Sequence, residues 1–110
     1  MCEQAFYTVT ERFFGMLGLA RRAGKTVLGT DMICERMRAR SKPVLVLASR
    51  EASLGTRNRL KYKCEFYSVS YRVVDATMAQ LGKICGAMRP TAAVAITDEG
   101  FARELTGECQ

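Results

Sequence analysis

Ala23-Gly24-Lys25-Thr26 contains the Gly-Lys-Thr ending of a phosphate-binding loop. Such a loop cradles a nucleotide's phosphates with backbone N–H groups, and its lysine and hydroxyl reach the outer phosphates and a magnesium ion. The full pattern also needs glycine at position 19, which is Leu19, with a strand before the loop and a helix after it. Here a helix is expected first and a strand second, so Gly24 reads as a helix stop and Lys25 as a surface lysine. Asp98-Glu99 offers two adjacent carboxylates, but neighbours on a helix point about 100° apart and do not form an acid–base pair. Both suit a helix N-terminus, where negative charge is favourable. The five cysteines (Cys2, Cys34, Cys64, Cys85, Cys109) stand 21 to 32 residues apart without a CxxC. They read as reduced thiols packed in a core, with neither a zinc site nor a disulfide framework expected. There is no histidine, which excludes Ser-His-Asp and Cys-His mechanisms and imidazole metal sites. The expectation is a non-enzyme with no cofactor.

The basic residues carry more information. The 110 residues hold 17 Lys plus Arg against 11 Asp plus Glu, a net charge of +6 with a pI near 9.3. The charge is one-sided: residues 21–42 hold seven basic and two acidic side chains, and the last 20 residues carry −3. A basic half with an acidic tail is the footprint of a phosphate-binding face. Arg36, Arg38 and Arg40 splay around one helix, Arg57, Lys61 and Arg50 are expected to share one side of the next helical region, and the loop Ala87-Met88-Arg89-Pro90-Thr91 precedes a core strand. No apolar stretch reaches the roughly 20 residues of a membrane span, and no secretory leader is read at the N-terminus. A cytoplasmic protein is expected, away from membranes.

The elements that position these residues follow from spacing. Thr8 and Glu11 form a capping-box pattern for a helix from about Thr8 to Ala23, with Phe13, Leu17 and Ala20 on its inner face. A short strand, Thr26 to Leu28, leads through Gly29-Thr30-Asp31 into a second helix buried at Ile33 and Met37. Val44 to Ala48 reads as a strand covered on both faces. A helix from about Ser53 to Tyr67 buries Leu60, Cys64 and Tyr67 and exposes Arg57, Arg59, Lys61 and Lys63. There follow a strand at Tyr71–Val74, a helix at Thr77–Cys85 stopped by Gly86, a strand at Ala92–Ile96, and a final helix from Asp98 to Gly107. Strands joined by helices imply crossovers, hence a single α/β domain over residues 1–110: a three-layer α/β/α sandwich with a mainly parallel sheet.

Taken together, the segments resemble a known family. Leu17-Gly18-Leu19-Ala20-Arg21-Arg22-Ala23-Gly24-Lys25, Gly29 and Val44-Leu45-Val46-Leu47-Ala48 carry one half of the likeness. Leu81-Gly82-Lys83-Ile84-Cys85-Gly86, Ala92 to Thr97 and Asp98-Glu99-Gly100-Phe101-Ala102 carry the other. The chain is similar to the bacterial YlxQ proteins, relatives of the ribosomal proteins of the archaeal L-seven-Ae and eukaryotic L-thirty-e type that bind kink-turn RNA. The resemblance implies a mixed four-stranded sheet instead of a mainly parallel one. It also implies a ribosome-associated RNA-binding protein, monomeric, with structured RNA and not DNA as its partner.

In that family a Gly-x-Asn-Glu-x-x-Lys pattern at the start of the second helix reads guanine edges and contacts phosphate, and an apolar loop before the last strand covers an extruded nucleotide. The first pattern falls here on Gly29, Thr30, Asp31, Met32, Ile33, Cys34 and Glu35, and keeps only its glycine. Asp31 stands where Asn is expected, Met32 where Glu is, and Glu35 where a phosphate-facing Lys is. Asp31 can accept from a guanine amino group but cannot donate. Glu35 repels phosphate unless Lys25 or Arg36 compensates. The loop falls on Ala87, Met88 and Arg89, and Arg89 can supply a phosphate or stacking contact. The resemblance therefore implies RNA binding that is weaker or retuned. The other reading of the same departures is a protein–protein interaction module on this fold.

Overall fold

Unbroken apolar runs supply the two central strands, while a Thr-Val-Leu segment and a Ser-Tyr-Arg-Val-Val segment supply the two edge strands. In the computed structural model, which describes residues 6–39 and 42–109, these are β1 (Thr26–Leu28), β2 (Leu45–Ser49), β3 (Ser70–Val74) and β4 (Ala93–Ile96). Five helices alternate with them: α1 (Glu11–Arg22), α2 (Thr30–Met37), α3 (Leu54–Tyr67), α4 (Met78–Ile84) and α5 (Glu99–Gly107). Arg40 and Cys2, both named above, lie outside the described residues.

The sheet is mixed, in the order β1-β4-β2-β3. β2 and β3 pair in parallel, with Leu45 opposite Ser70 and Ser49 opposite Val74. β4 runs antiparallel to both its neighbours, with Val94 opposite Leu28 on one side and Leu47 on the other. This corrects the mainly parallel sheet expected from strand–helix alternation alone. The connection through α4 feeds β4 back into the centre, between β1 and β2, in the opposite direction.

The layers follow from the two-residue period of the central strands. Leu45, Leu47, Val94 and Ile96 face a core built with Phe13, Leu17 and Ala20 of α1, Leu81 of α4, and Ala102 and Leu105 of α5. Val46, Ala48, Ala93 and Ala95 face the opposite core, with Ile33, Cys34 and Met37 of α2 and Leu60 and Cys64 of α3. Every residue of β2 and β4 is buried, as a strand covered on both faces requires. Truncating a residue such as Leu47 would cost about 2–5 kcal/mol. The N-terminal segment covers the last part of the outer edge of β3: the Tyr7 N–H donates to the Val73 carbonyl at 2.8 Å, and the Asp75 N–H donates to the Tyr7 carbonyl at 2.8 Å.

Two local expectations change. α1 starts at Glu11 behind Thr10, whose hydroxyl accepts from the Phe13 N–H at 3.2 Å, so the Thr8/Glu11 capping box does not form. Tyr7 and Val9 form bridges to Val74 and Cys109, which hold the chain extended up to Thr10. Tyr67 is only half-buried, packed edge-on to Phe66 with ring centroids 4.9 Å apart. By contrast, Gly24 ends α1 at φ +73° and Asp98 caps α5 by accepting from the Phe101 N–H at 2.9 Å, as read from the sequence. Cys34, Cys64, Cys85 and Cys109 are free and buried. Burial pushes the Cys64 thiol up to about 12 and the Cys85 thiol up to about 11, so both are protonated and inert at neutral pH.

Candidate nucleic-acid interface

β1, β2 and β3 end on the same side of the sheet, where β4 begins, so α2, α3 and α4 all start there. α3 is capped by Ser53, which accepts from the Thr56 N–H at 3.1 Å. α4 is capped by Thr77 and Gln80 in a reciprocal box, and Glu51 accepts from the Met78 N–H at 2.9 Å. α2 is different. Its first turn follows Gly29, which has no side chain to cap it. The N–H groups of Thr30, Asp31 and Met32 therefore have no acceptor within the helix, and the positive end of the dipole is open.

Gly29 sits at φ +89° and ψ 143°, a region that residues with a Cβ enter only at about 1–3 kcal/mol of strain. Its N–H donates to the Ala93 carbonyl at 3.1 Å, and its carbonyl accepts from the Ile33 N–H at 3.0 Å. The start of α2 is thereby tied to the start of β4, and so to the loop that precedes β4. That loop is laid back along α4. The Ala87 N–H donates to the Gly82 carbonyl at 2.8 Å, and the Thr91 N–H donates to the Met78 carbonyl at 3.0 Å. Gly82 is buried beneath the Arg89 carbonyl, and a Cβ there would collide with that oxygen. Met88 is 100% exposed, and Arg89 and Pro90 are exposed beside it.

The structure thus brings Gly29, Thr30, Asp31 and Met32 to the same end of the sheet as the loop's return into β4. Met32 projects at 55% exposure. Asp31 is engaged: the Arg59 guanidinium of α3 donates to its Oδ1 at 3.0 Å. That hydrogen bond holds the Arg59 pKa above its ordinary value. The pair is solvated, so its worth to stability is small, but it cancels the carboxylate's charge at the mouth of α2. Glu35, one turn further along, is exposed, and Arg36 is half-buried. Lys25 stands elsewhere. Its carbonyl accepts from the Thr97 N–H at the opposite end of β1, four extended residues or about 13 Å from Gly29.

The profile of the "Ribosomal protein L7Ae/L30e/S12e/Gadd45 family" matches residues 11–106. The chain belongs to that family. It is 42% identical over 94 residues to the RNA-binding protein YlxQ of Bacillus subtilis (strain 168), covering 84% of this chain and 90% of that protein. It is 28% identical over 94 residues to a YlxQ of Enterococcus faecium, covering 86% and 87%. Among solved structures, a protein of unknown function from Bacillus halodurans C superposes with a TM-score of 0.81 at 26% identity, over 89% of this chain and 96% of that one. A Giardia lamblia 15.5kD RNA binding protein superposes with a TM-score of 0.75 at 18% identity, over 91% and 89%. This last likeness shows the shared fold. The YlxQ-like resemblance read from the sequence and the mixed-sheet sandwich it implied are both borne out.

Two cations that sequence spacing did not reveal touch parts of the candidate site. Arg59 reaches it through Asp31. Arg21 lays its guanidinium over Gly86, at the base of the exposed loop. Its position in the sequence marks Arg21 only as a dipole-favouring residue in the last turn of α1, and no local pattern links it to Gly86. Conversely, Arg50, Arg57 and Lys61 do not form the shared free face expected of them. Arg50 is paired with Asp75 at 2.5 Å. The Arg57 Nε donates to the Ala52 carbonyl at 3.2 Å, and its guanidinium lies 5.5 Å from the centre of the Phe6 ring. No helix among the described residues is long and apolar enough to cross a membrane.

Proposed function

We propose that this chain is a non-enzymatic RNA-binding protein that captures kink-turn or similarly bent structured RNA, as a ribosome-associated monomer in the cytoplasm. The observation that carries this reading is the uncapped start of α2 at Gly29, hydrogen-bonded to the strand that the exposed loop Ala87–Arg89 enters. An open helix end offers N–H groups and a positive dipole to phosphate. The loop offers Met88 as an apolar cover for an extruded base and Arg89 as a backbone contact. Arg36 and Glu35 belong to this proposed interface as its outer charges, whereas Lys25, at the other end of β1, stands apart from it. The RNA-binding names of the Bacillus subtilis and Enterococcus faecium relatives support the same reading. The mechanism is selection of the bent state: contacts to the backbone position the RNA and few base edges are read. A kink-turn RNA carrying a fluorophore on each arm tests it. Addition of protein should bring the arms together, with no change on a straight duplex of matched length. No binding to the kink-turn RNA at low salt would overturn the proposal.

A second reading, a protein-interaction module on the same fold, is favoured by one observation. Asp31 spends its carboxylate on Arg59, and Met32 and Glu35 replace polar and cationic contacts with apolar and anionic ones. A partner that remains bound after nuclease treatment, with no kink-turn binding, would favour it over the first.

A further inference from the structure

The outward face of α3 is unusual for a solvated helix. Arg59 stands three and four residues before Tyr62 and Lys63, and these stand four and three residues before Phe66, so the four side chains share one broad face. Phe66 is 80% exposed and Tyr62 is 63% exposed. The inner face of the same helix already buries Leu60 and Cys64, so the fold does not need these aromatic rings. With Tyr67 this face lines an open groove of about 420 Å³, within the size range of small-ligand sites. Cations bracket the rings: Arg59 and Lys63 on the face, and Lys42, whose ammonium donates to the Tyr67 carbonyl at the far end of the helix.

We propose that this face is a stacking platform for unpaired nucleotides of the RNA held at α2. The inference rests on the RNA reading given above and extends it to a second surface. Rings on a helix flanked by Lys and Arg match a single strand, whose bases present flat faces and whose backbone presents phosphates. The two surfaces are continuous, because Arg59 heads this face and also bonds Asp31 in the first turn of α2. From Arg59 to Phe66 is seven helical residues, about 10 Å, so a strand leaving the mouth of α2 crosses the rings within a few nucleotides.

Three labelled RNAs separate the claims by fluorescence anisotropy: a minimal kink-turn, the same RNA with a ten-uridine tail on either strand, and the tail alone. The wild-type chain should bind one tailed RNA about tenfold more tightly than the minimal one. Tyr62→Ala/Phe66→Ala should lose that gain and keep the affinity for the minimal RNA, with an unchanged thermal midpoint confirming the fold. Lys63→Gln should lower the salt slope for the tailed RNA by about one and leave the minimal RNA unaffected. If the tail adds nothing, or adds as much in the double variant, the platform is overturned. It is overturned equally if Phe66 instead holds a protein that survives nuclease treatment while the tail adds nothing. Failure of the minimal RNA to bind, with ring-dependent binding of the tail alone, would refute the kink-turn reading and uphold the platform.

Discussion

The N-termini of α2 and α4 lie at the same end of one sheet. α4 begins behind Thr77 and Gln80, with the Glu51 carboxylate on the Met78 N–H, whereas α2 begins at bare Gly29. Each helix leaves its first N–H groups without acceptors inside the helix. In α4 the protein fills the vacancy with its own oxygens and gains stability. In α2 it leaves the donors to solvent or to a ligand, on a backbone that only glycine enters cheaply. The contrast separates a helix start made for folding from one available for binding.

The strongest way to break this contrast is to close the open end. Gly29→Asp puts a carboxylate where phosphate would sit and forces a strained φ. RNA affinity measured by mobility shift should fall roughly 100-fold, close to 3 kcal/mol. Retained affinity would show that the mouth of α2 is not the site. Asp31→Asn works in the other direction. It releases Arg59 and adds an amide donor for a base edge, so binding should tighten about tenfold, or about 1.4 kcal/mol. Thr77→Ala, at the closed end, should cost about 1 kcal/mol in urea denaturation and leave RNA affinity unchanged. A parallel loss of affinity would erase the distinction between the two ends. The finest test is the salt slope. Arg89→Ala should reduce it by about one with a few-fold loss of affinity, while Lys25→Ala, across the sheet, should leave it unchanged.

The elements were legible in the sequence because their signals are local. Unbroken apolar runs give β2 and β4, Asp98 caps α5, and Gly24 and Gly86 stop helices. What escaped depends on contacts between distant segments. Thr8 lost its capping role because Tyr7 and Val9 pair with Val74 and Cys109. Arg57 lost its free face to Phe6 and the Ala52 carbonyl. Within the candidate site, Gly29 and the loop Ala87–Arg89 were recognisable from family resemblance, but the Asp31–Arg59 pair joins two helices and Arg21 reaches Gly86 from a neighbouring helix of the same layer. Lys25, adjacent to the site in sequence, is carried away from it by a single short strand.

The loop ahead of β4 is fastened to α4 at both ends by backbone hydrogen bonds, with Gly82 seating the Arg89 carbonyl between them. Ordering a residue's backbone costs about 1–2 kcal/mol, and folding has already met that cost here. A ligand meeting Met88 therefore finds a preorganised contact instead of a chain that must first be immobilised. Because the fastenings are backbone groups, the side chain at 88 can change without loosening them. Substitutions there should alter how long a complex lasts far more than how quickly it forms.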